Sequence, residues 1–157
     1  MDYATEIGKI LRNKALKIST VESCTGGLLS SRLTDVSGSS EYITLNLVTY
    51  ANEAKEQMLN VILDSEGAVS ENCAVQMAKG LYNLTKSDIC VSTTGIAGPT
   101  GGSAEKPVGL MFSTIFTKDS IKTFKIMVGS QFPRIETKKL FTEEVLKNIY
   151  EFLTSQS

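Results

Sequence analysis

Histidine is absent from this sequence of 157 residues. Histidine is the base in Ser-His-Asp and Cys-His catalysis and a frequent zinc ligand, so its absence excludes those mechanisms and histidine-ligated zinc. The carboxylates show no clustered metal-ligand spacing, because they are scattered and mostly fall where turns or helix starts are predicted. We therefore expect no metal and no cofactor, and any general base must be another type of side chain.

Cysteine is also scarce. The three cysteines, Cys24, Cys73 and Cys90, are an odd number with wide spacing, and they form neither a Cys-x-x-Cys pair nor a disulfide framework. No apolar run is long enough to cross a bilayer, and the N-terminus lacks a basic region followed by an apolar one. These absences predict a protein of the reducing cytoplasm with no membrane partner.

A strong charge of either sign is missing as well. The net charge is -1, which gives no reason to expect a nucleic-acid partner. The hydrophobic share of 41% and the charged share of 21% are ordinary for a soluble globular protein. The length fits one domain that covers residues 1–157.

Stretches with helical spacing of apolar residues alternate with stretches rich in β-forming residues. The pattern predicts helices near residues 2–15, 28–33, 52–59, 70–84 and after 133, and strands near 16–21, 42–50, 88–93, 108–116 and 121–128. The short spacing of the last two strands predicts a hairpin, and hence an antiparallel edge. The predicted fold is a three-layer α/β/α single domain with a mixed, mostly parallel sheet.

Capping residues and apolar stripes refine the predicted helices. Asn52 and Ser70 are predicted N-caps, and Pro133 suits a first helical position. The inner stripe of the 70–84 helix extends to Leu84, and that of the last helix begins at Ile135, so we expect both side chains to be buried.

The turn at residues 20–27, Thr-Val-Glu-Ser-Cys-Thr-Gly-Gly, joins the first strand to a helix. It places Ser23, Cys24 and Thr25 at the carboxyl end of a strand, and Gly26 and Gly27 let the backbone turn there. Ligands bind at such ends in open α/β sheets, and the amides of the following helix favour an anion or a developing oxyanion. The alternative is a tight turn whose hydroxyls only cap a helix.

A second turn, after the next strand, carries Tyr50, Asn52 and Lys55. Without histidine, a serine can be activated by a lysine that burial keeps neutral, with help from a tyrosine hydroxyl. Ser23, Lys55 and Tyr50 are one such set. The structural alternatives are a solvated helix lysine and an amphipathic strand end. Cys24 competes as a nucleophile, although its thiolate needs a positive neighbour, and a small buried turn residue is the other interpretation.

A glycine-rich loop at residues 94–103 follows the third predicted strand. Its glycines permit a ligand to approach the backbone closely, and its amides could hold a phosphate. The loop lacks the spacing of a nucleotide-hydrolysing P-loop and that of a dinucleotide site. A plain mobile loop is the other interpretation.

Five segments of this sequence resemble the CinA C-terminal domain family. They are Glu-Ser-Cys-Thr-Gly-Gly at 22–27, Val-Thr-Tyr-Ala-Asn-Glu-Ala-Lys at 48–55, Gly-Ala-Val-Ser at 67–70, Thr-Gly-Ile-Ala-Gly-Pro-Thr-Gly-Gly at 94–102 and Glu-Lys-Pro-Val-Gly at 105–109. The resemblance implies a nicotinamide-nucleotide amidase, which hydrolyses the carboxamide of nicotinamide mononucleotide to nicotinic acid mononucleotide and ammonia. It implies Ser23 as nucleophile and Lys55 as its base, with Tyr50 assisting.

The resemblance also implies which residues contact the substrate. They are Cys24, Thr25, Gly26, Gly27, Asn52, Thr94, Gly95, Ile96, Ala97, Gly98, Gly101, Gly102, Lys106 and Arg134. Members of the family often carry a larger N-terminal nucleotide-hydrolase domain, so the sequence is similar to the stand-alone form. The alternative function is a non-catalytic nucleotide-binding or competence-associated interaction module on the same fold.

Two further expectations come from the family. Its members are commonly oligomeric, and the strand at 121–128 is a candidate exposed edge, so we expect a homodimer. Relatives usually read Gly, an acidic residue and Arg after the final strand, where this chain reads Gly129, Ser130 and Gln131. If that arginine binds the substrate phosphate, Gln131 weakens binding unless Arg134 substitutes for it.

Overall fold

A five-stranded mixed sheet forms the centre of the computed structural model, which describes residues 1–155. Its strands are β1 (Ile18–Glu22), β2 (Ile43–Val48), β3 (Ile89–Gly95), β4 (Leu110–Phe116) and β5 (Ile121–Met127). In the order β2-β1-β3-β4-β5, β1 pairs in parallel with β2 and β3, whereas β4 pairs antiparallel with β3 and β5. Within this sheet β4 alone runs against the other strands, so the predicted mixed, mostly parallel sheet is confirmed.

Helices cover both faces of the sheet. They are α1 (Tyr3–Lys14), α2 (Leu28–Thr34), α3 (Asn52–Leu59), α4 (Glu71–Thr85) and α5 (Arg134–Ser155). One hydrophobic cluster joins one face of the sheet to α1, α2 and α5, and a second cluster joins the other face to α3 and α4. The predicted three-layer α/β/α arrangement is therefore confirmed. Among the described helices, none is both long and apolar enough to cross a membrane.

Burial on both faces explains the composition of the central strands. Every residue of β1 is buried, and Ile18 belongs to the first cluster whereas Val21 belongs to the second. The hydroxyl side chains of these strands are buried as well, and each needs a partner. Ser92, for example, donates a hydrogen bond to the carbonyl of Ala74 at 2.7 Å, which anchors β3 to α4.

Helix ends match the predictions in part. Ser70 caps α4 by accepting a hydrogen bond from the amide of Cys73 at 3.1 Å, as predicted. Asn52 is not an N-cap, because it is itself the first residue of α3 and Ala51 occupies the cap position. Ile135 and Leu84 are 70% and 52% exposed, so their predicted burial is wrong. They occupy the first turn of α5 and the last turn of α4, where helical spacing continues beyond the packed part of each helix.

The two sheet edges are β2 and β5. The predicted position of β5 at an edge is confirmed, and its end residues Ile121 and Met127 expose about half of their surface. An exposed edge strand offers unpaired backbone groups and apolar side chains to a second chain. The homodimer stays a prediction.

Candidate active site

The carboxyl ends of three adjacent strands bring the predicted turns together. Because β1 lies between β2 and β3, Ser23 after β1 is flanked by Thr49 and Tyr50 after β2 and by the loop after β3. Thr49 donates its amide to the carbonyl of Glu22 at 2.9 Å, and Ser23 donates its amide to the carbonyl of Thr93 at 3.1 Å. The pairing of the strands thus continues past their ends and determines the geometry of the turns.

Lys55 and Ser23 contact each other directly. The amine of Lys55 donates hydrogen bonds to Ser23 Oγ at 3.0 Å, to the carbonyl of Thr49 at 2.8 Å and to the carbonyl of Tyr50 at 3.0 Å. Lys55 is 1% exposed although it belongs to the short surface helix α3. The alternative interpretation of Lys55 as a solvated helix lysine is therefore wrong.

The surroundings of Lys55 lower the pKa of its amine. Burial lowers the pKa of Lys55, and electrostatic interaction with the thiols of Cys73 and Cys24 opposes that change. Those thiols carry little charge, because burial also raises the pKa of Cys73, and raises that of Cys24 to about 12. Within residues 1–155, no carboxylate forms an ion pair with Lys55. The charged amine donates to all three oxygens. When the amine is neutral, its two N–H hydrogens go to the two carbonyls, and its lone pair accepts from the hydroxyl of Ser23 instead of donating to it.

The lowered pKa of Lys55 predicts how stability depends on pH. The unfolded chain holds this proton up to the ordinary pKa of 10.5, whereas the folded protein loses it at a lower pH. Between the two pKa values the unfolded state binds more protons, so the free energy of unfolding rises with pH. Lys55→Met removes this dependence. In urea titrations over that range, we expect the parent to gain stability relative to Lys55→Met as pH rises. A constant difference at every pH contradicts the assignment.

Cys24 is a poor candidate for the nucleophile. Burial raises the pKa of its thiol to about 12, and a hydrogen bond with Thr93 lowers it only in part. The thiolate that a cysteine nucleophile requires is therefore scarce at neutral pH. Cys24 still forms part of the cavity wall next to Ser23. Its role in the structure is that of a small buried turn residue with one side toward the cavity.

Ser23 opens into a small cavity of about 260 Å³. Arg134, at the start of α5, crosses the rim of this cavity. Its guanidinium donates to the carbonyl of Gly98 at 2.7 Å and to the hydroxyl of Tyr50 at 2.9 Å. The lining residues are Ser23, Cys24, Tyr50, Gly95, Ile96, Ala97, Thr100, Gly101 and Arg134. Arg134 is the only charged residue in this lining, which suits an anionic part of a ligand.

Three predicted contact residues border a neighbouring cavity instead. Thr25, Gly26 and Gly27 line a space of about 400 Å³ together with Lys138 and other residues of α2 and α5. The left-handed φ values of Gly26 (62°) and Gly27 (102°) make the turn possible, as the sequence predicted. These residues therefore shape the Ser23 turn and line a different space from the cavity of Ser23.

Other predicted contact residues lie away from Ser23. Asn52 is exposed at the start of α3 and does not line the cavity. Thr94 points its hydroxyl to the carbonyl of Ala68 at 2.7 Å, on the α4 side of the sheet. Lys106 contacts the backbone and carboxylate of Glu66. For these three side chains a direct substrate contact is not supported by the structure.

Two remaining predicted residues belong to the glycine-rich loop. Gly98 contributes the carbonyl that Arg134 binds, so it supports the rim without lining the cavity. Gly102 lies against Val108, where an added Cβ would come within 2.8 Å of the Val108 backbone nitrogen. Thr100, which belongs to the same loop, also lines the cavity.

Glu22 is the first residue of the segment at 22–27, but the sequence motifs predicted no role for it in the site. Its carboxylate is fully buried and accepts hydrogen bonds from Thr25 Oγ1 (2.6 Å), Gly27 N (3.2 Å), Leu29 N (2.9 Å), and Ser30 N (2.9 Å) and Oγ (2.6 Å). The first turn of α2 thus has its free amides satisfied from within the protein. The sequence does contain one indication of this role: Glu22 is the only charged residue of β1, and a buried carboxylate needs partners.

Potential metal ligands are dispersed. In the part of the chain that the structure describes, no three Cys, Asp or Glu side chains lie close enough together to hold a metal ion. The site consists of the side chains of Ser23, Lys55, Tyr50 and Arg134 together with backbone groups. Such a set suits acyl transfer through a serine.

The fold and the site define a three-layer α/β protein with a buried serine–lysine pair at the carboxyl ends of its parallel strands. The chain belongs to the CinA family, since the sequence model of the CinA C-terminal domain matches residues 1–153. The resemblance inferred from the five sequence segments is thereby confirmed.

Individual relatives agree with this assignment. The CinA-like protein of Chlorobium limicola is 44% identical over 153 residues, which cover 94% of this chain and 36% of that protein. Similar solved structures include a competence/damage inducible protein of Agrobacterium tumefaciens, with 35% identity and a TM-score of 0.87, and a CinA superfamily protein of Klebsiella pneumoniae, with 26% identity and a TM-score of 0.89. Each similarity covers 98% of this chain and 96% of the other. The chain spans about a third of the length of the curated relatives it matches.

Proposed function

We propose that this protein is a nicotinamide-nucleotide amidase, which hydrolyses nicotinamide mononucleotide to nicotinic acid mononucleotide and ammonia. The observation that carries the proposal is the 3.0 Å hydrogen bond between the buried amine of Lys55 and the hydroxyl of Ser23. In a chain without histidine, a lysine kept neutral by burial is a base that can activate a serine. The substrate follows from the resemblance of the segments around both residues to amidases of the family.

Acylation begins with proton transfer from Ser23 to Lys55. The neutral amine takes the hydroxyl proton while Ser23 Oγ attacks the carboxamide carbon, which gives a tetrahedral intermediate with a negatively charged oxygen. The Lys55 ammonium then donates a proton to the carboxamide nitrogen, the C–N bond breaks, and ammonia leaves. The nucleotide remains as an ester on Ser23.

Backbone amides beside Ser23 are available for the negative oxygen. Within residues 1–155, the N–H group of Cys24 interacts only with the thiol of its own residue, whereas those of Gly26 and Gly27 donate to the carbonyl of Ser23 and to Glu22. Stabilising a tetrahedral oxyanion requires donors that are free and already in place. Cys24, which lines the cavity of Ser23, therefore supplies the oxyanion donor, and the two glycines supply the turn.

Deacylation uses the same base. Lys55, neutral again after ammonia has left, takes a proton from a water molecule that attacks the ester carbon. Ser23 Oγ leaves and recovers its proton, and the product is the carboxylate of nicotinic acid mononucleotide. Tyr50 assists from the cavity wall, because its hydroxyl accepts from Arg134 and keeps its own hydrogen for a substrate group.

Ammonia release from the purified protein tests the proposal. Incubated with nicotinamide mononucleotide, the protein is expected to release one ammonia for each nicotinic acid mononucleotide formed. Added hydroxylamine is expected to divert part of the product to the hydroxamate, because it competes with water for the ester. Binding of the nucleotide without any ammonia release overturns the amidase and supports the non-catalytic binding module.

Arg134 is the residue we propose for the phosphate of the substrate. It is the only cation in the lining of the cavity, whereas Gln131 is exposed and is not part of that lining. A guanidinium binds phosphate through two charge-assisted hydrogen bonds. We expect Arg134→Ala to raise KM by about tenfold or more while lowering kcat less. Lys118→Ala, which removes an exposed cation between β4 and β5 and outside the lining of the cavity, is the matched control and leaves KM unchanged.

Gln131→Arg restores the arginine that relatives usually carry at this position, and its KM is compared with that of the parent protein. A fall in KM supports a phosphate role for the family arginine. An unchanged KM with a higher melting temperature supports a structural role for it. If Arg134→Ala leaves KM unaltered, the phosphate is bound elsewhere, and the amides of the loop from Gly95 to Gly102 become the candidates.

A further inference from the structure

A chain of hydrogen bonds leads from a buried carboxylate to the turn that carries Ser23. Glu22 Oε1 accepts from Thr25 Oγ1 at 2.6 Å, and Thr25 Oγ1 lies 2.9 Å from Thr93 Oγ1. Thr93 Oγ1 in turn lies 3.3 Å from the amide nitrogen of Ser23. Glu22, Thr25 and Thr93 are fully buried, and none of them lines the cavity of Ser23. Their side chains therefore act on that cavity through the backbone of Ser23.

The hydrogens in this chain can point in only one direction. A hydroxyl has a single hydrogen, and that of Thr25 is donated to Glu22. The hydrogen between the two threonines therefore belongs to Thr93. Thr93 Oγ1 then presents a lone pair to the amide of Ser23, which can only donate. The direction of each bond in the chain is thereby fixed. The amide of Ser23 is shared between Thr93 Oγ1 and the carbonyl of Thr93 at 3.1 Å, and the thiol of Cys24 is a second neighbour of the Thr93 hydroxyl.

Glu22 also connects the nucleophile with the base. Its backbone carbonyl accepts from the amide of Thr49 at 2.9 Å, and the carbonyl of Thr49 accepts from the amine of Lys55 at 2.8 Å. Ser23 and Lys55 are thus both tied to Glu22, one through side chains and the other through the backbone. A misplacement of about 1 Å between reacting groups costs on the order of 10²-fold in rate.

We propose that Glu22, Thr25 and Thr93 are positioning residues that hold Ser23 against Lys55. The same chain of bonds holds the turn in the conformation that places Cys24 in the lining of the cavity of Ser23, where its amide is proposed to bind the oxyanion. Because the three side chains do not reach the cavity, they set kcat and leave KM almost unchanged. The inference rests on the proposed amidase function, and it extends to any reaction in which Ser23 is the nucleophile.

Thr93→Val and Thr93→Ser are the informative pair of variants. Valine keeps the shape of threonine and removes the hydroxyl, whereas serine keeps the hydroxyl. With nicotinamide mononucleotide, we expect Thr93→Val to lower kcat by about tenfold or more and to change KM by less than about twofold. We expect Thr93→Ser to retain most of the parent rate. Labelling of Ser23 by a serine-directed fluorophosphonate, a substrate-independent readout, is expected to slow by a similar factor in Thr93→Val only.

Thr142→Val is the matched control for lost stability. Thr142 is equally buried, and its hydroxyl donates one hydrogen bond, to the carbonyl of Lys138 in α5 at 2.8 Å. This variant loses a buried hydroxyl that is not part of the chain of bonds, so it lowers the melting temperature without changing kcat or the labelling rate. Equal loss of kcat in Thr142→Val and Thr93→Val overturns the inference.

The outcomes separate this inference from the proposed function. If nicotinamide mononucleotide is not hydrolysed but Ser23 is labelled more slowly in Thr93→Val, the amidase fails and the positioning role stands. If the nucleotide is hydrolysed and Thr93→Val matches the parent in both rates, the positioning role fails alone. A Thr93→Ser variant as slow as Thr93→Val also overturns it. If the parent protein neither hydrolyses nicotinamide mononucleotide nor is labelled at Ser23 by the fluorophosphonate, both proposals are overturned.

Discussion

Ser23→Ala abolishes hydrolysis of nicotinamide mononucleotide, with an expected loss of about 10⁴-fold or more in kcat, because the acyl-enzyme can no longer form. Lys55→Met is expected to lower kcat by about 10³-fold, within the usual contribution of a general base. Methionine fills a similar volume but has no lone pair on nitrogen to take the proton of Ser23. Rates of ammonia release measure both effects.

Cys24→Ala is the control at the neighbouring position. Its thiol remains protonated at neutral pH, so removing it is expected to cost less than about tenfold in kcat. If Cys24→Ala is as inactive as Ser23→Ala, or if Ser23→Ala keeps its activity, the nucleophile is wrongly assigned. Circular dichroism of each variant shows whether the fold is retained.

Glu22→Ala is expected to cause the largest loss of stability. It leaves the buried amide of Leu29 and the half-buried amides of Gly27 and Ser30 without their acceptor, together with the hydroxyls of Thr25 and Ser30. Each unsatisfied buried donor costs about 1–3 kcal/mol, and because such costs are not additive we expect a total of about 3–5 kcal/mol. Urea denaturation measures the difference. A total of that size is a large fraction of the stability of a small domain.

Glu71→Ala is the matched control for Glu22→Ala. Glu71 also lies at the start of a helix, but it is exposed in the first turn of α4, where Ser70 already provides the cap. Its replacement is expected to change the free energy of unfolding by no more than about 0.5 kcal/mol. If Glu22→Ala is as mild as Glu71→Ala, water replaces the carboxylate and the buried network contributes little.

Local sequence information was sufficient for the order of the secondary structure and for the layers. Alternating helical and strand periodicity predicted all five strands and all five helices that the structure describes within 1–155, because those periods reflect which face of each element is buried. It was less accurate at helix ends. Ile135 and Leu84 continue an apolar stripe in sequence, but the helices extend past the surface they pack against, so both side chains remain exposed.

The absence of histidine and the positions of Ser23, Lys55 and Tyr50 could be read from the chain alone. Spacing could not show that Lys55 is buried, because burial depends on α3 folding back over the end of β1. A lysine on a short surface helix is normally solvated. Only the folded chain encloses its amine between Ser23 and two carbonyls, and that enclosure lowers its pKa.

The roles of Glu22 and Thr93 were decided entirely by tertiary structure. They lie about 70 residues apart in the chain, on strands that are neighbours only because β3 pairs with β1 in parallel. The same pairing separates residues that the sequence motifs group together. Strand alternation turns Thr93 toward the nucleophilic turn and Thr94 toward the opposite face. A motif identifies which residues belong to a segment, whereas the register of the sheet determines which of its side chains face one another.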